Sequence, residues 1–413
     1  MSLSRRSLLA ASLSAALLPL AARSADKRPP RILLRSSWQT VNIGDIAHTP
    51  GVLALLEKHL PDVEIWLWPS NVDNGVDQIL ARRFPKVKIL KPTEYKSAMT
   101  ECDFLLHSSG PSLVAEKHVA QWAAETRKPY GVYGITFSST KPETIELLTN
   151  AKFVFFRDGV SLAFAREHGV KCPIMEFGPD GAFATDIRND AAADAFLKAS
   201  GLEEGKFLCA IPRYRTTPYW QIHGKEKTAT DEKNWKHSQE MKEHDNAPIR
   251  KAIEEVLRNT DMKVLVCPED RSQVALGKEI LVDPLPADVK NRVVWRDKYW
   301  ITDEALSTYL KSAGLFGLEM HSPIMCIGHG VPAIVCRFKQ QTSKGTMWRD
   351  IGLSDWLFDL DDEAQIPGIV PAIVAMAKDP AAAKAKATKA REFVLKRQKE
   401  TMEIVGKFAR RSA

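Results

Sequence analysis

Short apolar runs alternate with longer amphipathic stretches from residue 31 to residue 336, and this alternation limits the fold more than any other feature. Residues 31–34, 63–68, 87–90, 102–107, 130–135 and 153–156 are nearly unbroken in hydrophobicity, as strands covered on both faces must be. Helical patterns lie between them. Leu53, Leu55, Leu56 and Leu60 follow a Thr49-Pro50 start, and residues 142–149 and 160–168 continue the series, the last closed by Gly169. A second set of runs covers residues 207–211, 263–267, 280–282, 293–295, 315–318 and 331–336, with helices over 248–258 and 302–311. Strands and helices taking turns in this way imply parallel, doubly wound sheets. The expected fold class is α/β, with two Rossmann-like domains, 30–190 and 205–365, facing a cleft. An Ala- and Lys-rich helical tail with a basic solvated face, 366–413, follows.

The first 25 residues read as a targeting segment. Ser4-Arg-Arg-Ser-Leu-Leu9 is a twin-arginine pattern ahead of a small and apolar run, 10–22, which is too short to span a bilayer comfortably. Cleavage near Ser24 or Ala25 gives an exported protein, periplasmic or extracellular. Without cleavage the same segment is a membrane anchor. No other membrane span is expected. The chain has 58 basic and 51 acidic side chains, a net charge of +7. Arg5, Arg6 and Arg23 belong to the leader, so the mature balance is 55 to 51. That gives no reason to expect a nucleic-acid partner, and no RNA- or DNA-binding signature is present. None of the six cysteines forms a C-x-x-C pair, so neither a zinc site nor any other metal set is read from the sequence. Twin-arginine substrates fold before export, in a reducing compartment, and no disulfide framework is expected.

Residues 313–336 hold the densest group of candidate residues. Residues 315–318 read as a strand, Ser322-Pro323 as an N-cap and first helical residue, and Gly328 or Gly330 as the helix end. Glu319, Met320 and His321 then fall where a parallel strand ends and a helix begins, the place where open α/β sheets bind ligands. The helix start at Ser322 offers N–H groups to an anion, with His321 titratable beside it. A core histidine in an ordinary strand–helix turn is the competing reading. Residues 214–247 are polar, with Tyr219, Trp220, His223, Trp235 and His237 set among charges. They form either a lid whose aromatics stack on sugar rings or a mobile solvated insertion. A second polar segment, 339–348, carries Lys344 toward a phosphate or carboxylate, with Arg349 just beyond it, unless both simply face water. There is no G-x-S-x-G elbow, P-loop or full G-x-G-x-x-G, which argues against serine-nucleophile, nucleoside-triphosphate and dinucleotide chemistry.

Four pieces together resemble the polysaccharide pyruvyl transferase family. Asn42-Ile-Gly44-Asp45 resembles its N-x-G-D turn. Arg157-Asp158 with Ser161 and Gly169-Val170 resembles its R-D-x-x-S…G-V segment. Pro179-Asp180 with Phe183 resembles its P-D-x-x-F segment. Met320-His321-Ser322 with Gly330-Val-Pro332 resembles its R-L-H…G-V-P signature. The resemblance implies a GT-B-like fold and transfer of a pyruvyl group from phosphoenolpyruvate to a pair of sugar hydroxyls, with no cofactor. The partners it implies are an anionic small-molecule donor and a glycan or sugar acceptor. It makes His321 the general acid/base and sets Asn42, Gly44 and Asp45 on the facing wall, with Asp45 a further catalytic candidate. Ser322 and Arg157 become donor contacts, although Arg157 and Asp158 also read as a pair capping a helix.

Two departures stand out. Glu319 occupies the place of the family's arginine, so an anionic donor needs another cation, and Arg213, Arg215, Lys344 and Arg349 are the candidates. The leader points outward, whereas phosphoenolpyruvate is cytoplasmic. Two other functions remain open on this scaffold. One is an exported carbohydrate-active enzyme of another reaction type, with Glu319 and His321 sharing a strand face as an acid/base pair. The other is a non-catalytic glycan-binding protein.

Overall fold

The structure is a computed structural model and describes residues 28–411. The targeting segment expected over 1–25 lies outside the described residues. Two all-parallel sheets carry the chain. The first contains β1 (Arg31–Ser36), β2 (Glu64–Pro69), β3 (Lys88–Ile89), β4 (Phe104–His107), β5 (Tyr130–Ile135), β6 (Val154–Phe156) and β7 (Met175–Phe177), in the order β3-β2-β1-β4-β5-β6-β7. The second contains β8 (Phe207–Ile211), β9 (Lys263–Val266), β10 (Val293–Trp295), β11 (Gly314–Gly317), β12 (Ala333–Arg337) and β13 (Leu357–Asp359), in the order β10-β9-β8-β11-β12-β13. Strand order reverses between β1 and β4 in one sheet and between β8 and β11 in the other, and such reversals open the crevice where α/β proteins bind ligands. Ile32, Leu33, Leu34, Leu105 and Leu106 on the first sheet, and Leu208, Cys209, Ala210 and Phe316 on the second, have no exposed surface. Burial of side chains like these leucines contributes about 1.5–3 kcal/mol each.

Eight helices matter to the site and its support: α1 (Ile43–His59), α2 (Gly159–Glu167), α3 (Asp190–Ser200), α4 (Ala229–Asn259), α5 (Thr302–Tyr309), α6 (His321–Gly328), α7 (Ile369–Lys378) and α8 (Pro380–Arg411). Helix α1 starts seven residues before the expected Thr49-Pro50, because Asn42 caps it and Pro50 lies inside it. The polar stretch 214–247 is not a free loop. Its second half is the first part of α4, a 31-residue helix opened by a Thr228/Asp231 capping box, and Pro248 sits inside that helix. Trp220 meets Trp235 edge to face, and Trp235 meets Tyr214, so these rings pack on one another. Residues 280–282, expected to be a strand, lie in a π-helical turn.

The tail is two helices. One face of α8 is buried through Met402, Val405 and Ala409 in the core of the first domain. Arg397 donates to Glu176 and to the Phe177 carbonyl, and Arg410 pairs with Asp62. The chain thus returns from the second sheet and clamps the first. No single helix among the described residues is long and apolar enough to cross a membrane.

Candidate functional site

The residues that follow the reversal-point strands converge between the two sheets. After β1 the chain turns at Asn42, whose Oδ1 accepts from the backbone N–H groups of Gly44 at 2.7 Å and Asp45 at 3.2 Å. Asn42 is therefore spent on capping α1. The domains meet here: Ile43 N–H donates to the Glu269 carbonyl, and the Thr302 hydroxyl donates to the Ile43 carbonyl. Gly44 lies against His321 so closely that a Cβ would come within 2.3 Å of the imidazole. Its role is close approach.

One helical turn after Asp45 stands His48, fully buried, with Nδ1 2.9 Å from Asp180 Oδ1 and 2.8 Å from Ser109 Oγ. Arg157 donates to the other Asp180 oxygen at 2.7 Å and to Thr136 at 2.7 Å. Burial raises the Asp180 carboxyl, but His48 and Arg157 outweigh it and hold the group well below the usual range. Arg157 does not pair with Asp158, contrary to the capping pair expected from sequence; Asp158 alone caps α2, accepting from Ser161. Arg157 is sealed in the core, so its placement as a donor contact is also corrected.

Across the cleft, β11 ends at Gly317 and α6 begins at His321 itself with Met320 at the cap position, two residues ahead of the expected Ser322 cap. The strand does not persist to residue 321, and Glu319 and His321 part. Glu319 accepts from Arg213 and from Gln273 Nε2 at 2.5 Å. His321 places Nδ1 3.4 Å from Glu269 Oε1. The N–H and hydroxyl of Ser322 both donate to Glu269 Oε2, each at 2.7 Å. The anion expected at this helix start is thus a carboxylate of the chain's own, and Ser322 is not a free donor. Burial drives the Glu319 carboxyl up to about 7, with Arg213 opposing and Glu269 adding to the rise. Burial lowers the His321 imidazole well below its ordinary value, and Lys344 and His48 push the same way. Burial and Arg213 lower the Lys344 ammonium. Among the described residues Lys344 forms no salt bridge or hydrogen bond through its ammonium, which leaves it the open cation of the cleft.

The remaining candidates are elsewhere. Arg215 is locked by a bidentate bond to Asp245 and a bond to Asp361. Arg349 is exposed and makes no ion pair with a cleft residue. Sequence reasoning missed His48, Glu269 and Asp270. The i,i+3 pair Asp45/His48 would have shown the first once α1 was begun at Asn42. Nothing local marks Glu269 and Asp270, which reach the site from the loop after β9. Asp45, His48 and His321 each offer a ligand atom, all within 4.8 Å of one another, a set that contains no cysteine and joins residues 273 positions apart in the chain, His48 and His321.

Residues 42–339 match the family model for polysaccharide pyruvyl transferase. No curated protein sequence matches the chain. Among solved structures, Anabaena Alr3699/HepE in complex with UDP and glucose is similar at a TM-score of 0.55 and 11% identity, over 91% of this chain and 98% of that one. UDP-GlcNAc 2-epimerase from Neisseria meningitidis bound to UDP-GlcNAc gives 0.52 and 10%, over 91% and 99%. S. aureus MnaA with UDP gives 0.50 and 12%, over 91% and 97%. At these identities the likeness establishes the two-domain, GT-B-like fold and nothing finer.

Proposed function

Because the chain belongs to the polysaccharide pyruvyl transferase family, we propose that it moves a pyruvyl group from phosphoenolpyruvate onto two hydroxyls of a sugar in a cell-envelope or extracellular glycan. The observation that carries this reading is the meeting of His321, Lys344 and Arg213 at the end of β11, against the Asn42–Asp45 turn of the other domain. The reaction needs a proton on the methylene carbon of the donor, attack by one sugar hydroxyl, loss of phosphate, and closure by the second hydroxyl. His321 is the proton donor: an anionic donor placed beside it favours the imidazolium form. Lys344 faces the donor's phosphate or carboxylate. Glu319, standing where the family has arginine, cancels Arg213, so the donor site carries less positive charge than the family pattern implies. Asp45 accepts from Gln39, itself bonded to the Tyr219 hydroxyl, and lies where it can orient an acceptor hydroxyl.

His321 is only 5% exposed, so the contact between the Asn42 and Glu269 segments must open for substrate to enter. The twin-arginine leader supports export and an acceptor outside the cytoplasm; the donor is then loaded before translocation or supplied outside. The test is to incubate purified protein with phosphoenolpyruvate and a nitrophenyl galactoside. A ketal with matched phosphate release is the expected result. Neither product under any condition tried would count against the reading.

A further inference from the structure

His48 and His321 face each other across the domain boundary, edge to face, with ring centroids 4.9 Å apart. Both rings are buried, and in both the Nε2 atom has no hydrogen-bond partner. Two buried ring nitrogens left without partners at one spot are uncommon in a folded interior. Their other nitrogens are not idle. Nδ1 of His48 lies on the Asp180 carboxylate, itself fastened by Arg157, and Nδ1 of His321 lies near the Glu269 carboxylate, itself fastened by Ser322. An imidazole that gives its Nδ1 proton to a carboxylate keeps a lone pair on Nε2. That is the arrangement in which proteins present histidine to a metal. A third ligand is at hand: Asp45, one turn before His48 on α1, is half-exposed, and one ligand atom from each of the three residues lies within 4.8 Å of the other two.

We propose that Asp45, His48 and His321 form a site for a divalent transition-metal ion, with zinc the best-matched species. Two imidazoles and one carboxylate suit zinc, iron or manganese in place of the all-oxygen sets that calcium and magnesium take, and three protein ligands leave a coordination position open. The ligands come from both domains, so the ion holds the cleft closed. The assignment rests on the same cleft as the transferase reading and has a consequence for it. A lone pair bound to zinc cannot carry a proton, and the loaded protein is therefore inactive in ketal formation.

The experiment uses the full chain stripped with a chelator, desalted and dialysed against zinc, with bound metal counted by elemental mass spectrometry. One ion per chain is expected, with affinity falling at least tenfold in Asp45→Asn and in His48→Gln. Circular dichroism checks the fold of each variant, and Asp45→Asn, at a half-exposed position, keeps the test alive if His48→Gln does not fold. Cobalt provides a second readout: a visible spectrum that changes in Asp45→Asn. No saturable zinc binding, or binding unchanged in Asp45→Asn, overturns the site. Ketal formation by the stripped protein is read separately. Zinc binding without ketal defeats the transferase reading and leaves the site standing; ketal formation that zinc does not inhibit overturns the assignment of His321 as a ligand.

Discussion

The two strand-to-helix turns that meet across the cleft satisfy their helix starts in opposite ways. Behind β1, Asn42 caps α1 from within the same turn, and the buried polar groups nearby, Asp180 with Arg157 and His48, all belong to the first domain. Behind β11 there is no side-chain cap of the turn's own. The start of α6 is held by Glu269 from the loop after β9, and Glu319 is held by Arg213 from the loop after β8. One mouth is complete in itself; the other is assembled from three segments. Groups that draw support from several loops shift when any one of them moves, which is a property of sites that change state on binding. The first turn thus supplies shape, and the second supplies charge that a ligand can rearrange.

The largest test of this contrast is at Asp180. Replacing it with Ala leaves Arg157 buried without its partner, and a loss of about 3–5 kcal/mol in urea denaturation is expected. A loss below about 1 kcal/mol would mean the first mouth does not depend on its internal pair.

Acid should also act on the first domain. His107 is fully buried, and burial, with the Arg35 charge beside it, lowers its imidazole to about 3. The folded state then binds fewer protons than the unfolded state between pH 6.5 and 3, so stability is present above that window and falls as pH drops through it. From pH 7 to 4.5 this group alone removes about 2–3 kcal/mol. Denaturation at the two pH values should show a smaller acid loss in His107→Gln than in the unaltered chain. Equal losses would show that some other group carries the effect.

Glu269→Gln tests the second mouth. It removes the charge but keeps an acceptor for Ser322, and about 1–2 kcal/mol of stability should go. Phosphoenolpyruvate affinity, read by isothermal calorimetry, should change more than stability does, since one negative charge leaves the donor site. An affinity that does not move would separate Glu269 from the ligand. Asn42→Ala is the smallest test, with about 1 kcal/mol lost from the cap of α1 and no change in that affinity.

Much of the fold was legible because parallel strands buried on both faces leave continuous apolar runs, and residues 207–211 were readable to the residue. The misses have separate physical causes. Helix α4 begins in a stretch almost wholly polar, and its buried aliphatic residues start only at Ile249, so no apolar period marks its first five turns. The Thr228–Asp231 capping box was the available signal. Pro50 looked like a helix start because proline favours that position, but here it lies within α1. Residues 280–282 show that a three-residue apolar run does not distinguish strand from helical turn. At the site, His321 and Asn42 were legible from motif and turn chemistry. Glu269 was not, since its contact with Ser322 spans 53 residues of sequence and arises only from the order of strands in the second sheet.

The central claim is that His321 delivers the proton that starts pyruvyl transfer. The most direct measurement is the rate of ketal formation from phosphoenolpyruvate and a nitrophenyl galactoside in metal-free buffer, for the unaltered chain and for His321→Gln. Removal of a general acid should slow the reaction about 100-fold or more while donor binding is kept. Ketal forming at the same rate in both proteins would contradict the claim.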